Sequence, residues 1–398
     1  MPTLLPLSLP LTLRRAASLV LACGLLSGCA SDPDRHPEDQ AEVQKLIMSA
    51  YHAEQSYPTR DSSMQWQIGE QSQEILWTRP DTRDPVPLIV YMPGLGESAH
   101  AGDIWRQGWA KAGYAVLSVQ PPAYDRSIYT SPQALAGNFP GLAHDKFSQA
   151  SLALRLALID RVVAQVRQRN GSTELGALKL DRIAVAGFDL GAQTAAGLAG
   201  ERNESLPAPQ GWRPSAALLF SPYVEPGTEA RLFAKVDTPV LAITSNLDED
   251  PFNVVKSASS RQALWQHLSV SGSYQLLLNE AMHTALSGST PDTRAKEESS
   301  GSFQPSGRSG GGGGGGGGRM GGGGRGMRGA GSSATGGGGV GRPEIPRLSP
   351  KQTAAIQAIS IAFLDATLKQ DPVAAEWLSR NAPHWLGSSG SLASKPGL

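Results

Sequence analysis

Three side chains that can carry hydrolytic chemistry follow apolar segments in the order aspartate, aspartate, histidine. Asp189 stands in the sequence Gly-Phe-Asp-Leu-Gly at 187–191, directly after an apolar run. Asp248 and His283 follow two later apolar runs. A carboxylate can attack carbon or orient water, and a histidine supported by a second carboxylate can accept the proton. The sequence therefore predicts a site in which Asp189, His283 and Asp248 are the catalytic residues.

Each of these residues also has a purely structural interpretation. Asp189 could accept hydrogen bonds from the N–H groups that open the following helix, as aspartate at an N-cap often does. His283 is one of seven histidines. The acid competes with Glu249 and Asp250, and Glu225 is a more distant alternative. We favour Asp248, because its place just after a strand brings it nearest the histidine.

The residues around Asp189 resemble the nucleophile elbow of the α/β-hydrolase superfamily. A strand, a sharp turn framed by glycines and a helix of small residues follow one another between 183 and 196. The glycines are needed because the turn is strained and the helix and strand approach closely. The pattern looks most like dienelactone hydrolase and platelet-activating-factor acetylhydrolase, whose elbow reads Gly-x-Ser-x-Gly. Here an aspartate replaces the serine.

The resemblance extends from about residue 88 to 377, apart from a glycine-rich tract. The sequence Pro-Gly-Leu-Gly at 93–96 resembles the loop that forms the oxyanion hole, although the family often has histidine where Pro93 stands. In that family, backbone N–H groups at the matching positions, here Leu95 and Leu190, hold a developing oxyanion. Nucleophile, acid and histidine also occur in the family's chain order.

An aspartate at the elbow leaves two reactions open. Asp189 could attack a saturated carbon and form an alkyl ester that His283 and water hydrolyse, as in haloalkane dehalogenases and epoxide hydrolases. Alternatively, Asp189 and His283 could activate water on an ester. Only residues 221–238 stand where the first class usually has a helical cap, and Leu190 stands where it commonly has tryptophan. We therefore expect a small ester-type substrate; a fold that has lost catalysis and serves binding or structure is the alternative.

Alternating apolar strands and amphipathic helices predict an α/β protein with a mostly parallel sheet, helices on both faces and no large cap domain. This is the α/β-hydrolase fold that the resemblance implies. The predicted strands are 74–77, 88–91, 115–119, 183–186, 216–220, 240–243 and 274–278. The predicted helices are 43–51, 104–112, 147–166, 191–200 and 350–368, the last with Ile356, Ile359 and Phe363 as its buried stripe.

The first residues have the features of a bacterial lipoprotein signal at 1–28. A basic pair precedes an apolar run at 16–26, which is too short to span a membrane, and Leu-Ser-Gly-Cys then ends at Cys29. This resembles a lipobox, which implies a lipid on Cys29; an ordinary cleaved signal is the alternative. Because Ala30 follows the cysteine, the resemblance implies an outer-membrane anchor in the cell envelope, with 29–37 as a tether.

The rest of the chain divides by composition. About half of the chain's 46 glycines lie within the segment 287–346, which also carries arginines. The high chain entropy of this segment predicts that it is disordered. The predicted parts are a main domain at 38–286, a disordered insertion at 287–346, a C-terminal helix at 347–380 that completes the domain, and a flexible tail at 381–398. A net charge of zero gives no electrostatic reason to expect nucleic acid, and we expect neither a cofactor nor a metal.

Overall fold

The computed structural model describes residues 37–201, 206, 208–224, 232–233, 235–252, 254–255, 257–293 and 346–396. The predicted signal, Cys29, most of the tether and the glycine-rich tract lie outside these residues. The chain divides into a short unit, Met1–Lys45, and a large unit, Leu46–Leu398. The described part of the short unit is the beginning of the first helix, and every other element belongs to the large unit.

Strands and helices alternate along the described part of the large unit. The strands are β1 (Thr59–Ile68), β2 (Gln71–Pro80), β3 (Val86–Met92), β4 (Ala115–Val119), β5 (Leu178–Phe188), β6 (Pro214–Phe220), β7 (Val240–Leu247), β8 (Tyr274–Met282) and β9 (Gly390–Ser394). The described helices are α1 (Pro37–Met48), α2 (Asp103–Lys111), α3 (Pro132–Leu135), α4 (Phe139–Phe147), α5 (Gln149–Arg169), α6 (Leu190–Leu198), α7 (Ala263–His267), α8 (His283–Leu286), α9 (Pro350–Leu364), α10 (Pro372–Glu376) and α11 (Ala382–Trp385). Segments of 3-10 or π-helix are Arg126–Thr130, Ala258–Gln262, Asp365–Lys369, Trp377–Asn381 and Gly387–Ser389.

The nine described strands form one mostly parallel sheet in the order β1-β2-β4-β3-β5-β6-β7-β8-β9. Strands β4, β3, β5, β6, β7 and β8 run parallel, whereas β1, β2 and β9 pair antiparallel at the two edges. From β3 the chain continues to β4, toward one edge of the sheet, and from β5 it continues to β6, toward the other edge. The carboxyl ends of β3 and β5 therefore form a topological switch point, the place at which open α/β sheets usually bind ligands.

Both faces of the sheet are covered, as the apolar strands predicted. Within β3, Leu88 and Val90 belong to one apolar core and Ile89 and Tyr91 to the other, all with no exposed surface. Helices α5 and α6 cover the first face, and α2 and α9 cover the second. Because consecutive side chains point to opposite faces, a strand buried on both sides needs the continuous apolar runs seen here.

The seven predicted strands and the long helices are confirmed, and the buried stripe of α9 is fully enclosed. The flexible tail was a wrong prediction, because residues 382–394 form α11 and β9, and β9 pairs with β8. The prediction of disorder from residue 287 is also wrong at its start, because residues 287–293 are part of the described structure. Ser287 and Ser289 are buried, and the Ser289 hydroxyl accepts a hydrogen bond from the Gly102 N–H at 2.9 Å.

Candidate active site

Asp189 occupies a strained turn between β5 and α6. Its φ of 52° and ψ of −109° lie in a region that side-chain-bearing residues rarely adopt, and such strain persists only where neighbouring structure enforces it. The Asp189 N–H donates to the carbonyl of Phe220 at 2.9 Å, which fixes the turn to the end of β6. The Asp189 side chain makes no capping hydrogen bond to the helix. The geometry therefore argues against the simple N-cap interpretation.

The two framing glycines are required by close backbone contact, as predicted. A β-carbon on Gly191 would lie 1.8 Å from the carbonyl oxygen of Met92. A β-carbon on Gly187 would lie 2.3 Å from the backbone of Gly191. No side chain fits at either position, so β3, β5 and α6 meet at a point that holds residue 189 at the carboxyl edge of the sheet.

The structure brings the three predicted catalytic residues together. Asp248 Oδ1 lies 2.7 Å from His283 Nδ1, and His283 Nε2 lies 3.9 Å from Asp189 Oδ1. Asp248 is fully buried, and 6% of the Asp189 and His283 side chains is exposed. The ring of Phe188 packs against the imidazole, with centroids 4.9 Å apart. A neutral imidazole that donates from Nδ1 to Asp248 presents an unprotonated Nε2 toward Asp189, which is the tautomer a base needs.

The other acids considered for this role lie elsewhere. Glu249 is exposed. Asp250 closes its own loop, accepting hydrogen bonds from the backbone N–H groups of Phe252 and Val255 at 2.8 Å. Glu225 lies outside the described residues. Among the described acids after β7, Asp248 is the one that contacts the histidine.

Arg261 is a further charged member of the site. Its guanidinium is fully buried, with Nε 3.1 Å from Asp248 Oδ1 and Nη2 3.1 Å from His283 Nδ1. Nε also donates to the Asp248 carbonyl at 3.1 Å, and Nη1 donates to the Ser221 carbonyl at 2.9 Å. Arg261 thus ties together the loops after β6 and β7 and lies beside the histidine. A protonated Nδ1 that donates to Asp248 accepts no hydrogen bond from the guanidinium.

Burial and charge act differently on the two carboxylates. Burial raises the pKa of Asp189, and the charges of His283 and Arg261 and the Leu190 N–H offset only part of that effect. Burial also opposes ionisation of Asp248, but the hydrogen bond from His283 and the charge of Arg261 outweigh it and lower the pKa of Asp248. Asp248 therefore stays ionised, while Asp189 holds a proton more readily than an exposed aspartate.

The two backbone N–H groups that were predicted to stabilise an oxyanion differ in their surroundings. In the loop after β3, Gly94 N–H donates to Glu97 Oε2 at 2.9 Å and Gly96 N–H donates to the Tyr124 carbonyl at 2.9 Å. The N–H of Leu95, between them, donates to no described residue. The N–H of Leu190 instead stabilises the Asp189 carboxylate. Leu95 therefore offers the more available donor for a developing oxyanion.

A covering segment, residues 121–147, lies over the elbow and was not predicted from the sequence. Its apolar side chains form a cluster with residues that follow β3, β5, β6 and β7, including Leu95 and Leu190. Phe147 contacts Tyr223 with ring centroids 4.6 Å apart, and Phe139 contacts Phe252 at 6.5 Å. A cavity of about 10 Å³ beside Leu190 has room for one water. Apolar groups therefore surround the acid–base residues on this side.

Two buried arginines near the site, Arg155 and Arg261, were not predicted from the sequence. Arg155 donates from Nε to the Thr194 hydroxyl at 2.8 Å and lies over the Tyr124 ring. It occupies a core position on α5 between Leu152 and Leu156, so a charge within an apolar stripe was an available signal. Arg261 stands in a polar segment without periodicity, and no local pattern marks it.

Comparisons with known proteins do not assign this chain to a family. No protein-family model matches it, and no curated protein is similar to it. Within the described residues no group of three or more His, Cys, Asp or Glu side chains is arranged so that it could hold a metal ion. The helices of the described part are all too short or too polar to span a bilayer. The candidate site therefore has to be interpreted from its own geometry.

Proposed function

We propose that this chain is an α/β-hydrolase that cleaves a small ester-type substrate with Asp189, His283 and Asp248. The observation that carries the proposal is the row of three buried side chains, with His283 lying 2.7 Å from one carboxylate and 3.9 Å from the other. Two atoms 3.9 Å apart can both lie about 2.8 Å from a single water oxygen. The Asp189–His283 gap is therefore suited to holding the attacking water.

The proposed reaction forms no covalent bond between the enzyme and the substrate. His283 Nε2 takes a proton from the water while Asp248 stabilises the imidazolium that forms. The resulting hydroxide adds to the ester carbonyl carbon, and the Leu95 N–H donates to the oxyanion. When the tetrahedral intermediate collapses, the alkoxide leaves and takes the proton back from Nε2. Asp189 orients the water by accepting a hydrogen bond from its second O–H.

A second reaction is favoured by one specific observation. His283 Nε2 lies 3.9 Å from Asp189 Oδ1, within reach of a water that could attack an ester formed on that residue. In that route Asp189 attacks a saturated carbon and expels its leaving group. Water activated by His283 then attacks the carboxyl carbon of Asp189 and releases the alcohol. Epoxides and haloalkanes are the substrates that suit this route.

A substrate panel tests the proposal. Wild type, Asp189→Asn and His283→Gln are incubated with short esters, epoxides and haloalkanes, with Glu249→Gln as the control because this neighbouring acid is exposed. We expect ester hydrolysis by wild type and the control, and a loss of at least about 100-fold in both site variants. Equal background rates for all four proteins would leave a binding or structural role.

We also propose that the protein is held in the bacterial cell envelope by a lipid on Cys29. The support is the basic pair, short apolar run and Leu-Ser-Gly-Cys sequence at the start of the chain. Cys29→Ser should move the protein from the membrane fraction to the soluble fraction, and a metabolically incorporated fatty acid should be lost with it. A variant that stays in the membrane fraction would refute the anchor.

A further inference from the structure

An aspartate at the elbow creates a charge problem that a serine does not. Asp189 and Asp248 lie on opposite sides of the His283 ring, and all three side chains are buried. A serine would leave a single carboxylate in this row, whereas Asp189 adds a second. Buried charges are unfavourable unless they are paired, and like charges at one site oppose each other's ionisation.

Arg261 provides the opposite charge at the same place. It contacts Asp248 Oδ1 and His283 Nδ1, both at 3.1 Å, so one imidazole ring separates it from Asp189. Arg261 and the imidazole both contact Asp248 Oδ1. The hydrogen bond between Asp248 and His283 is therefore weaker than it would be in a serine hydrolase site without this arginine. We propose that Arg261 is a positioning residue whose charge allows an aspartate to replace serine at the elbow. Asp189 and Arg261 thus form a functional pair, and this inference rests on the proposed site.

Arg155 is a matched control within the same chain. It is also a buried arginine near the elbow, and it donates to the Thr194 hydroxyl at 2.8 Å and to the Lys146 carbonyl at 2.7 Å. It makes no hydrogen bond or ion pair with Asp248 or His283 among the described contacts. The charge of Asp189 also acts on Arg155, so a small coupling is expected there. A specific pairing with Asp189 would appear as a clearly larger coupling with Arg261.

A double-mutant cycle tests the pairing without a substrate. Urea unfolding midpoints are measured for wild type, Asp189→Asn, Arg261→Gln and the double variant, and for the same cycle with Arg155→Gln. We expect Arg261→Gln to lower the midpoint more in wild type than in the Asp189→Asn background, because wild type is left with two carboxylates and no cation. An equal drop in both backgrounds, or an equally large difference with Arg155→Gln, would overturn the proposal.

A second cycle decides the matter if the Arg261 variants do not fold in either background. Asp248→Asn is then made in wild type and in Asp189→Asn. In the Asp248→Asn variant, Arg261 still has the Asp189 carboxylate nearby. In the Asp248→Asn, Asp189→Asn double variant, both of the nearby carboxylates are gone. We expect the midpoint to fall further in the Asp189→Asn background, and equal falls would overturn the pairing. Folding of Arg261→Gln only when it is combined with Asp189→Asn would support it. A missing activity on esters leaves these results unaffected, so failure of the function and failure of the pairing are distinguishable.

Discussion

Replacing Gly191 with alanine tests whether close backbone packing builds the elbow. The added β-carbon would lie 1.8 Å from the Met92 carbonyl oxygen and 2.7 Å from the Pro93 carbonyl oxygen, whereas ordinary contact begins at 3.4 Å. Both neighbours are backbone atoms, one at the last residue of β3 and one at the residue after it, so relief requires α6 or this part of the chain to move by more than an ångström. Overpacking of this kind costs about 1–3 kcal/mol, and we expect the upper end because no flexible side chain can yield.

The matched control is Gly197→Ala on the same helix. Its β-carbon would lie 3.1 Å from the Leu156 Cδ2, the end of a side chain that can adjust. Alanine is favoured over glycine in helices by about 1 kcal/mol, so we expect little net loss. Urea unfolding of wild type and both variants gives the comparison. Equal stability of Gly191→Ala and wild type, or equal losses in the two variants, would refute the elbow packing described above.

Three further predictions concern the buried charges. Burial raises the pKa of Asp189 in the folded protein above 3.8. The stability that this group contributes is therefore present below pH 3.8 and is lost as the pH rises through the folded-state pKa. Urea titrations should show that Asp189→Asn is more stable than wild type at pH 7, with an advantage that shrinks toward pH 3.8. Burial raises the pKa of Glu201 well above 4.5, and its Oε2 has no hydrogen-bond partner among the described residues. Glu201→Gln should therefore raise the melting temperature at pH 7 but not below pH 4.5, and no gain at pH 7 would contradict this. The Thr244 hydroxyl donates to Asp248 Oδ2 at 2.7 Å, and Thr244→Val should cost about 1 kcal/mol in unfolding free energy, with an unchanged value counting against that hydrogen bond.

The central parallel sheet was predictable because its strands are apolar on both faces. Strands β3, β5, β6 and β7 are buried along most of their length, and such runs are hard to place anywhere but inside an α/β protein. The position of residue 189 was predictable for a related reason. Two glycines around one charged residue, after such a strand, imply a tight turn with close packing on both sides.

The edges of the sheet were not predictable in the same way. Strand β1 has exposed positions on both faces along most of its length, and β9 is short and largely exposed. In β1 apolar and polar residues alternate only from Met64 to Ile68, and β9 has no such alternation, because an edge strand needs to bury little. Their places are determined by pairing with β2 and β8.

The charge balance of the site was also beyond the sequence. Asp248 and His283 could be placed by their positions after strands, but Arg261 reaches them from a short helical turn, Ala258–Gln262, with no local pattern of its own. Its contacts depend on where the loops after β6 and β7 meet. Long-range packing of this kind is not contained in the spacing of neighbouring residues.

A single turnover of an ester in water labelled with oxygen-18 distinguishes attack by water from attack by the Asp189 carboxylate. The product acid and the peptide that contains residue 189 are then weighed by mass spectrometry. If His283 activates water held beside Asp189, the label enters the product acid and residue 189 stays unlabelled. Label in the carboxyl group of Asp189 would show that this side chain attacks the substrate, and would contradict the water-mediated reaction proposed here.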